Sequence, residues 1–148
     1  MEMPINYKDI EINGRKFRLN KLNARTGSYM LFKLLKILTP IFKNVKQENL
    51  KDMDLQDLNL TELAESLFDF PEEEFRYIQD NLLQVTEERL DAGNQKVLNS
   101  NLGWGILNIE NDVSLVMNLT IQCLVFNVSG FFGGNLLELI KKAQNTYK

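Results

Sequence analysis

Residues 113–137 read VSLVMNLTIQCLVFNVSGFFGGNLL and carry no charged side chain, although Asp, Glu, Lys and Arg make up 25% of the chain. Length alone suits a membrane span, for which about 20 apolar residues suffice as a helix. The pattern argues otherwise. Ser114, Asn118 and Gln122 recur every fourth position, so a helix collects them on one face, with Leu115, Met117, Leu119, Ile121, Leu124 and Val125 around the rest. A lipid-facing helix avoids such a polar stripe. Asn127, Ser129, Gly130 and the pair Gly133-Gly134 then interrupt the segment before it reaches a comfortable spanning length. The expectation is a central core helix, capped by Asn111 or Asp112, with no membrane segment. Its end, from Phe126 to Leu137, offers apolar surface with two uses: plugging the end of a helical bundle or receiving a protein partner.

Upstream, the period changes. Asp9-Ile10-Glu11-Ile12 and Lys16-Phe17-Arg18-Leu19 alternate polar with apolar residues, and Asn13-Gly14 between them is a strong hairpin signal. Such a hairpin is marginal alone, so Ile10, Ile12, Phe17 and Leu19 must pack on helices, chiefly the one carrying Leu34 and Leu38. That helix starts at Asn23 or Ser28 and runs to about Asn44, with Leu31, Leu34, Leu35, Leu38, Ile41 and Phe42 as its buried stripe. Pro40 removes the hydrogen bond to the Lys36 carbonyl, so a kink or break is expected near Thr39. Residues 43–58 read as a polar linker. Asn59 and Glu62 form a capping box for a short helix, and Pro71 opens another that turns Phe75, Ile78, Leu82 and Leu83 inward. Thr86 to Leu98 reads as a second hairpin turning at Ala92-Gly93-Asn94, Trp104 as a ring pinning a glycine-flanked loop to the core, and Asn135 as the start of a last helix. The fold class is α+β, mainly α, with an N-terminal β-hairpin packed on a small helical bundle. One domain is expected over 1–148, with the hairpin at 8–20 and a helical body at 23–145.

Composition removes most chemistry. The 148 residues contain no histidine, so Ser-His-Asp and Cys-His catalysis, histidine zinc sites and histidine general bases are impossible. Glu72, Glu73 and Glu74 imitate a carboxylate pair but occupy a first helical turn, where acidic side chains suit the helix dipole. Asp52, Asp54 and Asp57 imitate the start of a calcium loop without its glycine and closing glutamate. No phosphate-binding glycine loop occurs, and no cofactor is expected. Cys123, the one cysteine, cannot form an internal disulfide and reads as packing. The first residues, MEMPINYKDIEI, lack a basic region followed by an apolar stretch, which sets a cytoplasmic expectation and makes the Asn-x-Ser/Thr triplets at Asn59, Asn118 and Asn127 coincidental. A net charge of −3 and a pI near 5.1 argue against nucleic acid. Lys33, Lys36 and Lys43 read as the wet side of an amphipathic helix.

Three blocks then suggest a family: KFRLNKLNARTGSYMLFKLLKILTP at 16–40, LFDFPEEEFRYIQDNLLQV at 67–85 and LVFNVSGFFGGNLLELIKK at 124–142. In order and spacing they resemble the tail assembly chaperones of long-tailed bacteriophages, especially those of Gram-positive hosts. The resemblance implies a small, mainly helical, non-catalytic protein that coats the tape-measure protein, keeps it soluble and delivers it to tail-tube subunits. It also implies a longer form made by ribosomal frameshifting, for which Lys141-Lys142 is the candidate position. No catalytic residue carries over. The partner-binding candidates come from the residues themselves: Phe126, Phe131, Phe132, Leu136 and Leu137, facing a client helix or a neighbouring copy of the chain. The rival readings are a small regulator that binds nucleic acid, an enzyme built on carboxylates alone, and a virion structural component.

Overall fold

A computed structural model describes residues 6–42 and 70–131. The opening hairpin is present: β1 (Tyr7–Ile12) pairs antiparallel with β2 (Arg15–Asn20), with Ile10 opposite Phe17 and Ile12 opposite Arg15. Its turn needs positive φ at both central positions, and Asn13 (50°) and Gly14 (82°) supply it. Alternation puts Phe17 and Leu19 on the covered face, both fully buried, and Lys16 and Arg18 on the other.

The hairpin is half of a larger sheet. β3 (Thr86–Leu90) pairs with β2, and β4 (Gly93–Lys96) pairs with β3, giving an antiparallel sheet in the order β1-β2-β3-β4. The second turn is Asp91-Ala92, with Gly93 at φ 127°, one residue earlier than expected. Among the described residues the class is α+β, and strands interrupt the expected helical body at Thr86–Lys96.

Among the described residues three helices accompany the sheet. α1 (Ala24–Phe42) is capped by Asn23, whose Oδ1 accepts the Thr26 N–H at 2.8 Å, and it continues past Pro40 without a break at Thr39. Leu34 of the expected stripe is fully buried and Leu31 is half-buried against the same core; Met30, which the stripe omitted, is fully buried as well, and the side chains of Leu35, Leu38, Ile41 and Phe42 lie outside those described. α2 (Glu72–Gln84) follows Pro71 and buries Ile78, Leu82 and Leu83, while Phe75 is half-buried. α3 (Val113–Phe131) is the uncharged helix, capped by Asp112, whose Oδ1 accepts the Leu115 N–H at 3.0 Å. Asn127, Ser129 and Gly130 lie within α3 and do not end it. Even so, no helix among the described residues is long and apolar enough to cross a membrane.

α3 organises the interior. It packs against α2, β2 and α1, so the sheet meets chiefly α3 where α1 was expected, although Met30 and Leu34 of α1 share one cluster with Leu19 of β2. That first cluster also holds Ile78, Leu82, Cys123, Leu124, Val125 and Val128. A second cluster, with Ile12, Phe17, Leu83, Val97, Leu98, Ile106, Ile109, Leu115 and Leu119, lies at the other end of α3. The capping box at Asn59, the linker at 43–58 and the helix from Asn135 fall outside the described residues.

Candidate partner-binding surface

α1 and α2 meet over Met30 and Ile78, both buried, and above this floor they open a recess of about 310 Å³. Its walls are Tyr29 and Lys33 from α1 and Glu73, Glu74 and Tyr77 from α2. Spacing explains the membership: 29 and 33, and 73 and 77, are i,i+4 pairs on one helical face. The two tyrosines touch edge to face, centroids 5.2 Å apart at 77°, yet 48% of Tyr29 and 38% of Tyr77 stay exposed. Lys33 Nζ donates to Glu74 Oε1 at 3.1 Å and lies 5.6 Å from the centroid of the Tyr29 ring. The Glu74 hydrogen bond, with the charge behind it, holds the Lys33 ammonium above its ordinary 10.5. Beside the recess Phe32 leaves 74% of its surface exposed.

A second apolar surface sits on the loop between β4 and α3. Ile106 and Ile109 anchor the loop, and Leu98 and Trp104 form an isolated antiparallel bridge. Trp104 itself is 38% exposed, so the loop is not pinned by its ring. Backbone fit does that work: Gly105 N–H donates to the Val97 carbonyl at 3.0 Å, and a Cβ at Gly105 would stand 2.1 Å from the Lys96 carbonyl oxygen. Arg15 fastens the far side. Its guanidinium donates twice to the Glu88 carboxylate, at 2.8 and 2.9 Å, and also to the carbonyls of Leu107 and Asn108. The loop so held presents Leu102 and Leu107 to solvent, and Val113, the first residue of α3, is exposed after them.

The residues singled out by sequence are distributed differently. Phe126 is half-buried against the first cluster, Phe131 is the last residue of α3, and Phe132, Leu136 and Leu137 lie outside the described residues. Sequence reasoning passed over Tyr29, Phe32 and Tyr77. Their signal is an aromatic residue off the leucine stripe of an amphipathic helix, where burial does not call for one. Glu73 and Glu74, read as dipole partners, do stand in the first turn of α2 and also wall the recess. Cys123 is buried and its thiol is pushed up to about 12 by loss of water, which suits packing and not nucleophilic chemistry.

The family model described as phage tail assembly chaperone protein, TAC, matches residues 13–137, well over half of the chain. The chain belongs to this family. No curated protein and no solved structure matches it. For a tail assembly chaperone the general role is binding other tail proteins, and membership points away from substrate turnover. The matched span runs from the β1–β2 turn to beyond α3, so β2, β3 and β4, the recess and the clamped loop all lie within it, and β1 precedes it.

Proposed function

We propose that this chain is a non-catalytic holdase for the tape-measure protein in the host cytoplasm: it covers apolar stripes of that long helix, keeps it soluble and hands it to tail-tube subunits. The observation that carries the reading is that a tail assembly chaperone shows aromatic and aliphatic side chains to solvent on well-held elements, Tyr29, Phe32 and Tyr77 on two helices and Leu102 and Leu107 on a clamped loop. Exposed apolar surface of this kind marks interaction sites, and amphipathic helices are received by their i, i+3, i+4 anchors. The run through Phe126, Phe131, Phe132, Leu136 and Leu137 extends the client surface or joins neighbouring copies. A frameshifted form, lengthened near Lys141-Lys142, would bring the tail-tube protein to the same complex.

Coexpression tests this. With the chain present, the tape-measure protein is expected in the soluble fraction and to copurify with it. Phe131→Ser and Phe132→Ser, confirmed as folded, are expected to lower the soluble yield. A tape-measure protein equally insoluble with and without the chain would refute the holdase reading; folded variants as effective as wild type would refute only the C-terminal contact.

A further inference from the structure

We propose that the recess between α1 and α2 receives a basic side chain, arginine or lysine, projecting from an amphipathic partner helix. This deepens the reading of the chain as a holder of helices and rests on it.

The recess already binds one cation, its own. Lys33 Nζ lies 3.1 Å from Glu74 Oε1 and 5.6 Å from the Tyr29 ring centroid, a carboxylate and an aromatic face acting together. The same pair of groups recurs across the recess. Glu73 and Tyr77 are one turn apart on α2, both line the cavity, and the Tyr77 ring meets Tyr29 edge to face. Of the three acidic residues in the first turn, Glu72 is engaged by Arg76 at 2.8 Å and Glu74 by Lys33. Glu73 has no ion-pair partner among the described residues.

The lining therefore carries two carboxylates against one ammonium, and the balance favours a second cation. Over the buried floor of Met30 and Ile78, the partly exposed rings of Tyr29 and Tyr77 offer apolar surface suited to the methylene stem of a long basic side chain. A volume of about 310 Å³ is at the lower end for ligand pockets, roughly 300–1,000 Å³, and matches one side chain better than an extended molecule. Phe32, exposed beside the recess, supplies an apolar contact for the flanking residues of the partner helix.

Three synthetic amphipathic helices with one leucine stripe and a single central Arg, Gln or Glu serve as probes against the full chain. Binding is read by anisotropy of the labelled peptide and by NMR shifts of the Tyr29 and Tyr77 rings. The Arg peptide is expected to bind at least about fivefold more tightly than the Gln peptide, the scale of one exposed charge pair with a cation–π contact. The preference should weaken with added salt. Glu73→Gln, with its circular dichroism unchanged, should abolish most of it, and Glu73→Lys should turn it toward the Glu peptide.

Equal binding of all three peptides would overturn the proposal. So would a preference for Glu on the wild type, which would mean that Lys33 captures an acidic partner. The absence of any Arg-dependent shift of the two tyrosine rings would overturn it as well. The coexpression assay is scored separately, so failure here and failure of the holdase reading remain distinguishable.

Discussion

At the scale of single residues, Asn127 does what no apolar residue at its position can do. It is 2% exposed inside the most hydrophobic helix, where an unpaired amide would be costly. Its Oδ1 accepts the Leu22 N–H at 2.8 Å, and its Nδ2 donates to the Asn20 and Cys123 carbonyls at 3.2 and 3.0 Å. One side chain thus ties α3 to the link between β2 and α1. Asn127→Ala strands the Leu22 donor and the Asn20 acceptor, so a loss of about 1–3 kcal/mol is expected in urea unfolding. Asn118→Ala, on the exposed face of the same helix, should change little. Asp9 makes a different prediction. The hydrogen bond from Arg18 holds its carboxyl below the ordinary 3.8, with the Arg18 and Arg89 charges helping against desolvation. The folded chain therefore prefers the ionised form more than the unfolded chain does, and this stabilisation is present at neutral pH. It persists down to about 3.8 and disappears as pH falls through the lower folded value. Asp9→Asn should accordingly melt slightly below wild type at neutral pH, and the two melting temperatures should converge under stronger acid. A gap that widens in acid would contradict the assignment.

At the scale of elements, α3 is the test of what the sequence makes legible. Leu119 and Leu124 are fully buried, while Gln122 is half-exposed and donates to Asn118 on the polar face. Leu124→Ala should cost about 2–5 kcal/mol by thermal or chemical denaturation, and Gln122→Ala close to nothing. Similar losses for both would mean that the helix is rotated from the orientation described. The inner face of α3 was readable because period is a local property, and so was the β1–β2 turn, where Asn13-Gly14 sets the backbone directly. The end of α3 was not. Asn127 read as a breaker because its partners, Leu22 and Asn20, are more than a hundred positions away in sequence. β3 was faint for a similar reason: TEERL has no strand-like apolar alternation, and Thr86 and Glu88 face inward only because Leu19 and Phe17 stand opposite them and Arg15 neutralises Glu88. The recess was out of reach altogether, since it exists only where Tyr29 and Tyr77 are brought together by α1 and α2.

At the scale of the whole molecule, the two apolar clusters share the same scaffolding. β2 gives Leu19 to the first and Phe17 to the second, α2 gives Leu82 and Leu83, and α3 gives Leu124 to one and Leu119 to the other, while Ile10 packs against both. Neighbouring side chains on one strand or helix cannot lose their order separately without losing the element that carries them. The described residues are therefore expected to unfold in one cooperative step. Trp104, the chain's one tryptophan, reports on this, because its backbone bridges to Leu98 of the second cluster. Leu34 of α1 belongs to the first cluster and is fully buried. Leu34→Ala should remove about 2–5 kcal/mol there, enough to move a urea midpoint clearly. If the clusters are coupled through β2, α2 and α3, Trp104 fluorescence and far-ultraviolet circular dichroism will report the same lowered midpoint. A Trp104 transition left at the wild-type midpoint, while the helical signal moves, would show that the recess end and the clamped-loop end melt independently. The client surface would then be two separately adjustable sites in place of one rigid face.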